Sequence, residues 1–167
     1  LFPILASITS IIFVIALLFP TVLVKIMQGV GIPAVGALEY VLIFVMYFGL
    51  AFIATFFNVC VVYTTKKRFE GGNATFGESL RFGFSKIHLI FSWSLLSATV
   101  GLILRIIERA AQRSNIVGKI ILSILRGILG IIWSIITIFV VPAMVYNNLG
   151  PIDAIKSSVE TIKKTWG

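Results

Sequence analysis

Four apolar runs dominate this sequence, at residues 2–24, 40–64, 87–104 and 120–145, and a single charge, Arg126, falls inside them. A helix crosses the hydrocarbon core of a bilayer with about 20 predominantly apolar residues, so each run is long enough to span. The rest of the chain cannot make a soluble globule around them. Only 12% of residues are charged and the mean hydropathy is +1.08, against about 25% charged in a soluble domain. Too little polar surface remains to cover a water-soluble particle. This excludes a soluble enzyme, a disordered chain and a disulfide-stapled secreted domain. The expected fold class is an all-α integral membrane protein, one domain over residues 1–167, with four transmembrane helices in two hairpins.

The segments between the runs read differently. The turn-forming stretch QGVGIPAVGA separates the first two runs, Glu70-Gly71-Gly72-Asn73 breaks the chain after the second, and Asn147-Asn148-Leu149-Gly150 ends the fourth. Pro20 sits in the last turns of the first run and is expected to kink it, and Pro142 lies near the end of the fourth. Thr75 and Glu78 have capping-box spacing, and Phe76, Leu80, Phe84 and Ile87 then share one face of a helix over about 75–85. Pro151 and Asp153 suit the first turn of a second helix, over 151–166. There Ile152, Ile155, Val159, Ile162 and Trp166 recur at helical spacing as an interfacial anchor, with Lys156, Glu160, Lys163 and Lys164 opposite. Two amphipathic interfacial helices are therefore expected, each lying either in the headgroup layer or against the protein's own spans. The order span, span, short helix occurs twice, and Gly72–Ser79 and Gly150–Ser157 open the two short helices alike.

Fourteen basic residues face six acidic ones, a net charge of +8. Most bases lie just beyond an apolar run, where anionic headgroups sit, so the expected partners are membrane lipids, anionic ones foremost, and not nucleic acid. Arg105, Arg109 and Arg113 recur every four residues, and Lys119 and Arg126 are seven apart on the next helix. These five residues, with Lys156, Lys163 and Lys164, are the candidate headgroup contacts. The arginine series is either the solvated face of an extended hairpin or a set of guanidinium forks for lipid phosphate. Eight bases on the side of the short helices against six on the other favour the former as cytoplasmic.

The residues suggest no catalyst. The acids Glu39, Glu70, Glu78, Glu108, Asp153 and Glu160 all fall at span ends or in the short helices, His88 is single, and Cys60 is the one cysteine. No metal-ligand spacing or phosphate loop occurs, so no cofactor, metal or catalytic residue is expected. Asn58 is read as an interhelical hydrogen bonder. Small residues offer packing faces: Ser94, Ala98 and Gly101 in the third run, and Ser123, Gly127, Gly130 and Ser134 in the fourth. They are expected to join these two spans, with a contact between subunits as the other use of Gly127 or Gly130, so a homo-oligomer is a further possible partner.

The run FVVPAMVYNNLGPIDAIKSSVETIKKTWG, residues 139–167, resembles a family of uncharacterised polytopic membrane proteins of archaea and bacteria, a domain of unknown function. Val141-Pro142, Gly150-Pro151, Ala154, Lys156, Ser158 and Trp166-Gly167 carry the pattern. Asn147 and Asn148 stand where the family often has an acid. LFPILASI, residues 1–8, looks like the opening of that family's first span. The resemblance implies about six spans in a longer chain, with a helix before Leu1 and a hairpin after Gly167. A more distant similarity is to the membrane domain attached to some glycerophosphodiester phosphodiesterases, from which no catalytic residue carries over. The expected function is thus non-enzymatic: a multi-pass, lipid-contacting scaffold or assembly component of a prokaryotic cell membrane. A small-solute or ion transporter or channel is the rival.

Overall fold

The computed structural model describes residues 1–28 and 37–166, and their side chains except at 21, 24–28, 37, 38 and 166. The expected turn at 28–37 and the anchoring ring of Trp166 lie outside the described residues or side chains.

All regular elements among the described residues are helices: α1 (Phe2–Gln28), α2 (Ala37–Phe69), α3 (Phe76–Ser85), α4 (Ile87–Arg113), α5 (Ile116–Thr137), α6 (Val140–Asn147) and α7 (Pro151–Trp166). Four segments are long and apolar enough to cross a membrane: Phe2–Pro20, Glu39–Phe69, Ile87–Arg113 and the α5–α6 segment Ile116–Asn147. The helices outrun the expected spans, because charged residues such as Arg105 and Glu108 are good helix formers and do not stop a helix. α4 continues nine residues past Leu104. Only the Ser114-Asn115 corner turns the chain, where Asn115 Oδ1 accepts from Gly118 N at 2.9 Å and caps α5.

α2 is the centre of the bundle. It packs on α1, α4, α3 and α6, while α4 also carries α5. At Gly49 a Cβ would overlap the Phe13 ring, so this glycine seats α1 on α2. One core cluster joins Phe2, Phe56, Val59, Cys60, Ile90, Val141 and Val145. The other joins Leu89, Trp93, Val140, Ala143, Met144 and Ala154. Both lie toward the end of the bundle where α3 and α7 sit.

The fourth run is not one helix. Pro142 has no N–H to give the Ile138 carbonyl, and its ring crowds that carbonyl in a continuous helix. α5 therefore stops at Thr137, the chain turns at Ile138 and Phe139, and Pro142 becomes the third residue of α6. The break also removes a donor from the Ile136 carbonyl. Ser158 of α7, wholly buried, supplies it from its hydroxyl. α6 then ends at Asn148, in the left-handed region with φ 52°, which asparagine tolerates better than most residues. Its Oδ1 accepts from Lys86 Nζ at 2.6 Å, tying the α6–α7 corner to the α3–α4 junction.

The two corners place the end of α2 and the start of α7 on one side. α4, 27 residues and about 40 Å long, carries the chain to the other. Single cysteines at Lys67 and Lys163, in a Cys60→Ala background, should react with a membrane-impermeant maleimide from the same side of sealed vesicles, and a cysteine at Arg113 only from the opposite side. Labelling of all three from one side would contradict four crossings.

Candidate functional site

The short helices dock through their small residues. Ser79 and Gly83 of α3 are buried, and a Cβ at Gly83 would lie 3.0 Å from Cys60 Sγ and 3.1 Å from the Phe56 ring. Ser79 Oγ lies 2.8 Å from Thr64 Oγ1, and Thr64 in turn donates to the Cys60 carbonyl. In α7 the equivalent positions, four and eight residues into the helix, are Ala154 and Ser158, both wholly buried. Matching the helix starts therefore pairs Ser79 with Ala154 and Gly83 with Ser158, and also Glu78 with Asp153 and Arg81 with Lys156. This register differs by three residues from the pairing expected on Gly72 and Gly150. The helix start, and not the preceding glycine, fixes which face meets the bundle.

This docking leaves some of the large apolar residues exposed, while Leu80 and Phe82 of α3 and Ile155 of α7 pack against the core clusters. Phe76, Phe84 and Ile152 are exposed, while Ile155, Val159 and Ile162 are half-buried. Arg81, Lys156, Lys163 and Lys164 are exposed, with Lys156 Nζ 3.1 Å from Asp153. Glu78 completes the capping box: Thr75 N donates to Glu78 Oε2 at 3.0 Å, and Glu78 N donates to Thr75 Oγ1. The Thr75 amide, with Lys67 nearby, holds the Glu78 carboxyl below its ordinary 4.5.

The other end of the bundle carries the arginine series. Its members do not share one environment. Arg109 reaches across to α2, pairs with Glu39 and covers the Tyr40 ring, its guanidinium carbon 5.0 Å from the centroid. Arg105 pairs with Glu108 at 2.9 Å, and Arg126 of α5 reaches the same carboxylate oxygen at 3.5 Å. Arg113 and Lys119 are exposed nearer the hairpin tip. Neither Glu39 nor Tyr40 was singled out in the sequence as a partner for Arg109. Residues 70 apart reveal such a pairing only once α2 and α4 are known to be antiparallel neighbours.

Two packing expectations are corrected. The α4 face does not meet α5. Ile90 packs with Phe56 and Val59 of α2, and a Cβ at Gly101 would lie 3.2 Å from Tyr47 of α2. Ser94 and Ala98, between them on that face, are wholly buried. The α5 face of Ser123, Gly127, Gly130 and Ser134 makes no close helix contact among the described residues: a Cβ at Gly127 or Gly130 would meet no atom within 4 Å. The physical reason lies in the side chains that fill the seam. α4 and α5 are close neighbours, but they meet through the stacked Trp93 and Trp133 rings, 5.7 Å between centroids, at one level and through the Arg126–Glu108 pair at another, and not through the glycines. Asn58, too, is exposed and has no partner among the described residues, so it ties no two of these helices together. His88 is exposed on the first turn of α4, and the described residues contain no group of three or more potential metal ligands.

Four apolar crossings, short helices docked at one end and a paired-arginine layer at the other define a polytopic helical membrane protein. The chain belongs to the family of unknown function DUF6159, whose family model matches residues 37–167. The match bears out the expectation of a family without an assigned activity. No curated protein and no solved structure matches the chain.

Two measurements probe the docked helices. Gly83→Leu forces a branched side chain into the Cys60–Phe56 contact and should destabilise the protein by about 1–3 kcal/mol. Gly77→Leu, on the open side where a Cβ meets nothing within 4 Å, should not destabilise it. An equal effect would remove the assigned docking face. Glu78 is lowered in the folded state, so its cap stabilises α3 above pH 4.5 and is lost as the pH falls through the folded value. Amide exchange at the start of α3 should therefore accelerate below pH 4.5 in wild type but show no such pH step in Glu78→Gln.

Proposed function

We propose that the chain is a non-enzymatic, lipid-contacting membrane scaffold whose two amphipathic helices, α3 and α7, lie in one headgroup layer. The observation that carries this reading is the division of faces on those helices. Small residues are spent on the bundle, so Phe76, Phe84 and Ile152 stay largely exposed even though the Phe76 ring stacks on Phe2 and the Phe84 ring touches Phe56. A fully buried large apolar side chain contributes about 1.5–3 kcal/mol, and a basic residue beside anionic lipid about 1 kcal/mol. Apolar burial into the acyl boundary therefore sets the placement, and Arg81, Lys156, Lys163 and Lys164 set the preference for anionic lipid. The positive-inside excess puts this layer on the cytoplasmic side of a cell membrane.

The rival transport reading needs a polar route past Asn58 and Arg126. Asn58 lies within a turn of Phe56 and Cys60, which pack with Ile90 in the first turn of α4. Arg126 pairs with Glu108, 18 residues further along α4, about 27 Å away. The two polar groups sit near opposite ends of the bundle, which favours the scaffold. Against catalysis, Glu39, Glu70, Glu78, Glu108 and Asp153 are each engaged by a base or a helix cap.

Nitroxide labels in vesicles containing phosphatidylglycerol test the placement. Labels at Phe84 and Ile152 should be accessible to oxygen and shielded from a water-soluble nickel complex, with the reverse at Lys156 and Lys164. Equal nickel access at Ile152 and Lys156 would leave α7 a freely solvated helix and end the interfacial reading.

A further inference from the structure

The open face of α5 forms one wall of a groove of about 380 Å³ against α4. Gly127 and Gly130 floor it, Leu104 and Ile131 flank it, and Arg126 stands at its head. We propose that this groove holds one anionic glycerophospholipid, its phosphate on Arg126 and Arg105 and one acyl chain lying over the two glycines. The proposal rests on the reading of the chain as a lipid-contacting membrane protein.

Charge comes first. Arg105 and Arg126 share a single carboxylate oxygen of Glu108, at 2.9 and 3.5 Å. Two guanidiniums against one carboxylate leave a net positive charge. Each guanidinium has five N–H donors, far more than that oxygen can accept. Both side chains remain partly open, 39% and 47% exposed. A phosphate diester matches the guanidinium fork and neutralises the excess.

Depth comes second. From Ile87, where the short helix α3 gives way to α4, to Arg105 is 18 residues, about 27 Å. The hydrocarbon core is about 30 Å thick, so Arg105, Glu108 and Arg126 fall at the headgroup boundary opposite α3 and α7. From Arg126 the groove runs down α5 to Ile135, nine residues or about 14 Å. The groove is therefore cationic at headgroup level and apolar below it, the order of polarity along a phospholipid. A helix from a second copy would need to bring its own anion to Arg126 at that level.

The glycines make the test clean. Because a Cβ at Gly127 or Gly130 would meet nothing within 4 Å, Gly130→Leu can fill the groove without displacing a neighbour. The full chain is purified from nanodiscs of phosphatidylglycerol and phosphatidylcholine, and lipid retained through detergent washing is read by native mass spectrometry. Wild type should keep one phosphatidylglycerol. Arg126→Gln should lower that occupancy about fivefold, the factor equivalent to about 1 kcal/mol for one arginine near an anionic surface. Gly130→Leu should lower it similarly at unchanged thermal stability. Neither variant should alter the nitroxide pattern of α7, which separates this site from the placement of the short helices. Unchanged retention in both variants would overturn the proposal. So would a change in oligomer mass without a change in retained lipid, which would assign the groove to a second copy.

Discussion

A buried backbone carbonyl must find a donor, because water does not reach it. In this protein a side chain meets that requirement at the bend that Pro142 forces between α5 and α6. The hydroxyl of Ser158 satisfies the freed Ile136 carbonyl, and it can do so only because α7 lies against α5 and α6 with Ala154 at the contact. The position of α7 follows from that bond, and the Asn148 corner, held by Lys86, follows from the position of α7. The same end of the bundle holds both core clusters. The last crossing is thus bent where it is best packed, and straight along α5, whose residues are all at least partly open.

Docking through small residues is the second constraint. Between helices in lipid there is little hydrophobic force, so close approach must come from shape. Ser79 and Gly83 bring α3 close to α2, Gly49 accepts the Phe13 ring of α1, and Gly101 accepts Tyr47. Each is a glycine or serine opposite a larger group. Gly127 and Gly130 have no such partner among the described residues, which distinguishes them from every other small-residue contact described above.

Much of this was readable from the residues. Charge-free length located the crossings, and capping chemistry located the start of α3 at Thr75. Glycine and asparagine located the corners at Gly71 and Asn148. What the sequence could not rank was faces. When a helix is apolar all round, hydrophobic periodicity no longer says which side packs, and Ser94–Ala98–Gly101 could be assigned to α5 or α2 with equal right. The small-residue face of α7 was masked by a larger apolar one, because Ile152 and Ile155 carry the stronger periodic signal while Ala154 and Ser158 make the contact. Pro142 was visible only as a proline near the end of the fourth run. That it divides the run into two helices depends on a donor arriving from α7, 16 residues away from it.

The two short helices also affect the bilayer unequally. At 10 and 16 residues, α3 and α7 are about 15 and 24 Å long and about 10 Å wide. Lying in one headgroup layer, as proposed, they add on the order of 400 Å² of cross-section to that leaflet alone, beyond the area of the four crossings. The opposite leaflet receives no comparable addition from the described residues. The molecule is then a wedge, wider on the side of its surface helices. A wedge sits at lower energy where its broad leaflet bends outward, so membrane curvature itself becomes a variable to which this protein's distribution responds.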